Sequence, residues 1–251
     1  MKKFTIFVTL FSFVTLESKA FEQCFIAKES GKIVKQIGNC SKEYSPYSTF
    51  KIAIAVMGFD SGILKSPQSP TIQAPKELDP KFYNLKKYPI QAFAARAQTP
   101  ASWMQYSVIW YSQEITKKLG DQKFAEYVEK LNYGNKDVSG GLLQAWLGSS
   151  LKITPLQQVE FVEKLSERKL PVAKLAQDGA VKIMKMEDIY NSWKMYGKTG
   201  SSSVDGWFVG YIEKNNRRII FAQYLEAKDA AISAGRLAKE VAKDNLIELV
   251  L

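Results

Sequence analysis

The chain has 251 residues, 46% hydrophobic and 24% charged, which excludes a disordered, collagen-like or membrane-spanning protein and suits one large core or two interlocked subdomains. The formal charge is +10, but the lysines are scattered rather than striped. This reads as a solvated face and not a nucleic-acid surface, although an anionic small molecule would be drawn to the field. The count of histidine is 0, which excludes Ser-His-Asp and Cys-His catalysis and histidine-ligated zinc; two cysteines cannot replace those ligands.

Lys2 and Lys3 precede an uncharged apolar run over 4–16, and Ser18-Lys19-Ala20 offers small residues for cleavage. The run is too short to span a bilayer and predicts a cleaved leader at 1–20, with a single exported catalytic domain over 21–251. No second apolar stretch approaches membrane length, so no membrane contact is expected after cleavage. Cys24 and Cys40 flank a predicted hairpin over 24–37, turned by Glu29-Ser30-Gly31. They either pair or stand as separate buried thiols.

Ser45-Pro46-Tyr47-Ser48 precedes Phe50-Lys51-Ile52-Ala53-Ile54-Ala55-Val56-Met57, which is apolar on every side except at Lys51. A helix buried in the core is expected. Residues 64–90 are rich in Pro, Lys and Gln and predict a long surface loop. From 102 to about 190 the pattern is mainly helical, with the 3.6-residue period clear over 114–131 and 155–170. Strands are predicted over 193–201, 206–213 and 218–225, and an amphipathic helix over 229–249. Strands at both ends with helices between predict an α+β fold: an antiparallel sheet built from both termini, flanked by terminal helices, with an inserted helical region.

Three Ser-x-x-Lys patterns occur, at Ser48–Lys51, Ser149–Lys152 and Ser166–Lys169. Ser166 to Lys169 reads as a charged helix surface and Ser149 to Lys152 as a loop. Only Ser48 opens an apolar helix, where its N–H lies at the positive end of the dipole and Lys51 shares its face. Burial disfavours the charged amine, and a neutral amine can take a serine proton. The alternative is a lysine that snorkels to the surface beside an N-cap serine. Lys198-Thr199-Gly200 follows Tyr196-Gly197. It is not a phosphate loop, because Ser192 stands where the first glycine is required and a strand follows. It offers instead a cation, a hydroxyl and a close backbone approach to a substrate carboxylate. Taken singly, Ser107-Val108 and Tyr133-Gly134-Asn135 read as a cap or turn, Trp146 as core and Arg236 as a solvated charge.

Ser48-x-x-Lys51, Ser107-Val108-Ile109, Tyr133-Gly134-Asn135 and Lys198-Thr199-Gly200 occur in this order. With Ser45-Pro46-Tyr47, Gly206-Trp207-Phe208-Val209-Gly210 and Gly235-Arg236, the pattern resembles the penicillin-recognising serine enzymes. Among them it is most similar to the class D, oxacillin-hydrolysing β-lactamases. Class A would want Ser-Asp-Asn at 107–109 and a Glu-x-x-Leu-Asn segment near 140–155. The resemblance implies a Ser48 acyl-enzyme and a Lys51 carbamylated by carbon dioxide as base for both half-reactions, with no metal or organic cofactor. It implies that Trp146 holds the carbamate and that Ser107 and Lys198 serve the leaving nitrogen. Val108 lines the substrate cleft, and Thr199, Gly200 and Arg236 contact the substrate. The Ser48 and Ser201 N–H groups form the oxyanion hole, and Tyr133-Gly134-Asn135 shapes the cleft. The implied partner is a small β-lactam, with no nucleic acid, in a periplasmic or secreted monomer or homodimer. A penicillin-binding transpeptidase or carboxypeptidase and a non-enzymatic β-lactam sensor share the same motifs. The pattern departs at Ile109, where valine is usual, at Ser201, where many members carry an aromatic residue, and around Trp146, where Ala145 and Leu147-Gly148 are not its commonest neighbours.

Overall fold

The computed structural model describes residues 22–84, 86, 89–228 and 232–251. The expected leader lies outside them. Strands β1 (Gln23–Glu29) and β2 (Lys32–Gly38) form the first hairpin, and β3 (Lys194–Ser201), β4 (Asp205–Lys214) and β5 (Arg217–Glu226) form a meander. They join in one antiparallel sheet of order β2-β1-β5-β4-β3, with β1 paired to β5. Both chain ends therefore build the sheet, as the strand pattern predicts. Cys24 and Cys40 form a disulfide, which settles the alternative left open above.

Side chains alternate across the sheet with the strand period of two. Phe25, Met195, Phe208, Ile212 and Phe221 face one way and join Ala234, Ala238, Ala242 and Leu246 of the last helix, α6 (Ala234–Val250). Ile26, Trp207, Val209, Tyr211, Ala222 and Tyr224 face the larger core, which the remaining helices fill. Those helices are α1 (Lys51–Asp60), α2 (Pro100–Tyr106), α3 (Ile109–Lys130), α4 (Pro155–Ser166) and α5 (Lys174–Ile183).

Helix α1 is buried all round from Lys51 to Gly58 and packs against α3 and α5. This follows from its unbroken apolar sequence, because no face of it prefers water. Helix α2 starts at Pro100 behind Thr99, whose side chain and that of Ser102 cap each other's backbone N–H. Helix α4 starts in the same way, with Thr154 and Gln157 before and after Pro155. Several expected bounds move. Helix α3 begins at Ile109, before the clear period at 114, because the left-handed Ser107 ends α2 just ahead of it. It also bends at Gly120, where φ is 75°. Helix α6 begins at Ala234, and 229–231 lie outside the described residues. The loop over 64–90 gives way to a 3-10 turn at Pro89–Ala95.

Candidate active site

Ser48 lies in a 3-10 turn, Tyr47–Phe50, that feeds directly into α1. Thr49 and Phe50 point inward and are fully buried, which leaves Ser48 partly exposed. The turn is closed by the Thr49 N–H and hydroxyl, which donate to the Pro46 carbonyl at 3.1 and 2.7 Å. Beneath it, Gln158 of α4 donates to Thr49 Oγ1 at 2.9 Å and accepts from the Tyr133 hydroxyl at 3.3 Å. All three side chains of this network are buried, so its bonds hold the turn where water cannot compete.

Lys51 is 0% exposed and donates to Ser48 Oγ at 3.1 Å. Burial pushes its pKa well below the usual lysine range, and the nearby charge of Lys198 pushes it further. Among the described residues Lys51 belongs to no ion pair that would oppose these effects. The snorkelling alternative is thereby excluded. The two rival Ser-x-x-Lys patterns lack this environment. Lys169 is exposed and paired with Glu167, and Lys152 is only partly buried. Ser166 itself corrects the reading of a charged helix surface: it is buried at the end of α4 and donates to the Glu163 carbonyl.

Lys198 on β3 is 4% exposed and donates to the carbonyl of Thr199 at 2.9 Å and to Thr199 Oγ1 at 3.4 Å. Burial, with help from Lys239 of α6, brings its pKa down to about 7. A methyl group at Gly200 would lie 2.9 Å from the Pro46 carbonyl and 3.2 Å from the Thr49 nitrogen. Only a glycine lets β3 run this close to the Ser48 turn. Ser201 follows, and its hydroxyl accepts the Gly235 N–H at 3.1 Å, which ties the start of α6 to the end of β3. Arg236 is the next residue and is exposed.

Trp146 is fully buried, with its ring centroid 5.5 Å from that of Phe50, the residue before Lys51. Its backbone carbonyl accepts from Ser45 Oγ at 3.0 Å, so it is fixed to the segment that carries Ser48. Its indole Nε1 has no hydrogen-bond partner among the described residues. Ser107 caps α2 in a left-handed conformation, with φ 58° and ψ 38°, which costs a serine energy. Val108 is buried, and its N–H donates to the Trp103 carbonyl. Tyr133 is buried, Gly134 has φ 56°, and Asn135 bonds the 150–152 segment through the Ser150 carbonyl and the Lys152 N–H.

Sequence reasoning did not find Gln158, Tyr83 or Asp205. Gln158 left a signal, a polar residue at an inward position of an amphipathic helix. Tyr83, whose hydroxyl accepts the N–H groups of Ile109 and Trp110 just past Ser107-Val108, lies in an irregular loop with no pattern to read. Among the described residues no cluster of three or more His, Cys, Asp or Glu side chains is arranged to hold a metal ion.

The penicillin binding protein transpeptidase domain family matches residues 18–246. The chain is 39% identical over 239 residues to the β-lactamase OXA-9 of Klebsiella pneumoniae, covering 88% of this chain and 83% of that protein. The chain belongs to the class D β-lactamase family. It is also 36% identical over 225 residues to the β-lactamase OXA-1 of Escherichia coli, covering 81% of this chain and 76% of that one. The crystal structure of the class D β-lactamase OXA-427 matches the fold with a TM-score of 0.81 at 36% identity, covering 91% of this chain and 98% of that one. The family's α+β, transpeptidase-like architecture is therefore the fold expected from the motifs.

Proposed function

We propose that the chain hydrolyses the amide bond of β-lactam antibiotics through an acyl-enzyme on Ser48. The observation that carries this reading is the buried Lys51 amine, in no ion pair among the described residues and 3.1 Å from the Ser48 hydroxyl. A neutral amine in a dry site also reacts with carbon dioxide, and the orphaned indole N–H of Trp146 suits the anion that would result. Bound there, an N-carboxy group on Lys51 would supply a carboxylate base for acylation and for activation of the hydrolytic water. Ser48 Oγ, relieved of its proton, attacks the lactam carbonyl carbon while the Ser48 and Ser201 N–H groups take the developing charge. Ser107 delivers a proton to the departing nitrogen, and Lys198, with a pKa near 7, supports that transfer. Thr199 and the forked donors of Arg236 bind the substrate carboxylate. Gly200 lets β3 lie against the Ser48 turn beside the substrate, Val108 forms the cleft's wall, and Tyr133-Gly134-Asn135 holds its shape. The acyl ester then breaks by attack of water, which restores the Ser48 hydroxyl.

The catalytic unit in this reading is residues 21–251, exported through the leader at 1–20. The Cys24–Cys40 disulfide supports export, since such bonds persist in oxidising compartments. Among the described residues no helix is long and apolar enough to cross a membrane.

Turnovers of a chromogenic cephalosporin counted per enzyme test the proposal. Many per Ser48 support it, with Ser48→Ala inert and Lys51→Ala acylating slowly and failing to deacylate. A single stoichiometric burst would overturn it in favour of a transpeptidase or a sensor.

A further inference from the structure

The two N–H groups assigned above to the oxyanion belong to Ser48 and Ser201, on separate parts of the chain. Each has a neighbour held by one carboxylate. Tyr47, before Ser48, donates its hydroxyl to Asp205 Oδ2 at 2.9 Å. Ser202, after Ser201, donates to the same oxygen at 2.7 Å. The other oxygen, Oδ1, takes the hydroxyl of Tyr224 at 2.6 Å, from a ring fully buried in β5. Ser202 Oγ in turn accepts the N–H groups of Asp205 and Val204 at 2.8 and 3.1 Å, so the short β3–β4 connection is folded onto the carboxylate.

Asp205 belongs to no ion pair among the described residues, so its charge is answered here by three hydroxyls. Hydrogen bonds to a charged acceptor are short and stronger than neutral ones. Tyr47 needs such an anchor, because its φ of 45° is a costly conformation for an aromatic residue and sets the direction in which Ser48 leaves it. Burial, partly offset by Ser202 and reinforced by Asp205, pushes the Tyr47 hydroxyl up to about 12, which keeps it a donor at neutral pH.

We propose that Asp205 is a positioning residue that sets the separation of the two oxyanion donors by clamping Tyr47 to Ser202. This rests on the assignment of the Ser48 and Ser201 N–H groups under the proposed function. Loss of one donor outright slows such reactions about 100- to 1,000-fold, so displacement of one should slow acylation about 10- to 100-fold.

The purified full chain is compared with Asp205→Ala, Asp205→Asn, Tyr47→Phe and Ser202→Ala. Asp205→Ala is expected to lower the acylation rate by that factor with little change in KM, Tyr47→Phe and Ser202→Ala less, and Asp205→Asn to recover part of the loss. Two readouts are specific to the hole. The infrared carbonyl stretch of an acyl-enzyme trapped with a slowly released β-lactam should move to higher frequency or split. The affinity for a boronic acid that forms a tetrahedral adduct should fall by the same factor as kcat/KM. Folded Asp205→Ala with wild-type acylation and an unshifted carbonyl band would overturn the clamp. If Asp205→Ala does not fold, Tyr47→Phe and Ser202→Ala decide, each removing one arm, and wild-type behaviour in both overturns it. Failure of the underlying reading looks different: the wild-type chain would then give one burst, or Ser48→Ala would still turn over.

Discussion

Replacement of Trp146 by phenylalanine isolates what its indole N–H does. A buried N–H without a partner costs about 1–3 kcal/mol, and Trp146 Nε1 has none among the described residues of the unmodified chain. Phenylalanine removes that cost but loses part of the ring packing against Phe50 and Phe124, at centroid distances of 5.5 and 6.2 Å. The two effects oppose each other, so the stability of the unmodified protein should change little. The modified form behaves otherwise. A hydrogen bond to a charged group contributes about 1.5–3 kcal/mol, and every 1.4 kcal/mol is tenfold in affinity. Trp146→Phe should therefore need about 10- to 150-fold more bicarbonate to reach half its maximal turnover. Two measurements besides activity check this. A carbamate signal from carbon-13 bicarbonate should be present in the wild type and weakened in the variant. Bicarbonate should also raise the thermal midpoint of the wild type more than that of Trp146→Phe. An unchanged bicarbonate dependence, with the carbamate signal intact, would refute the argument that the orphaned donor awaits an anion on Lys51.

The buried amines predict a pH-dependent stability. The folded pKa of Lys198, about 7, lies below its unfolded value of 10.5, so between these limits the unfolded chain holds the extra proton. Native stability from this residue is thus fully present above pH 10.5 and is lost as pH falls to 7. The loss is on the order of 5 kcal/mol. Lys198→Met should be more stable than wild type in urea at pH 7, with the gap narrowing towards pH 10, while its turnover collapses; a gap that widens with pH would contradict the sign. Gly200→Ala places a methyl group 2.9 Å from the Pro46 carbonyl. It should depress kcat/KM far more than it depresses the unfolding midpoint, and equal activity would show that β3 and the Ser48 turn move apart freely. Reduction of the Cys24–Cys40 disulfide, which spans 16 residues, should cost about 3 kcal/mol on a loop-closure argument. Chemical denaturation with and without reductant measures it, and a difference near zero would mean that the β1–β2 hairpin alone sets that loop.

Elements whose signal is local were legible before any packing was known. Alternation and turn residues marked the strands at both ends, and the unbroken apolar run after Ser48 marked α1 as buried. The histidine count narrowed the choice of base, and the spacing of the Ser48, Ser107, Tyr133 and Lys198 motifs carried the family. Where distant side chains meet became visible only in the folded chain. Folding chose among three Ser-x-x-Lys patterns by burying one lysine completely, and it paired the two cysteines. It left Trp146 Nε1 without a partner among the described residues and drew Tyr47 and Ser202 onto Asp205. A period or a turn records how one segment meets water. A lowered lysine pKa, an orphaned donor or a shared carboxylate instead depends on what packs around it from other parts of the chain.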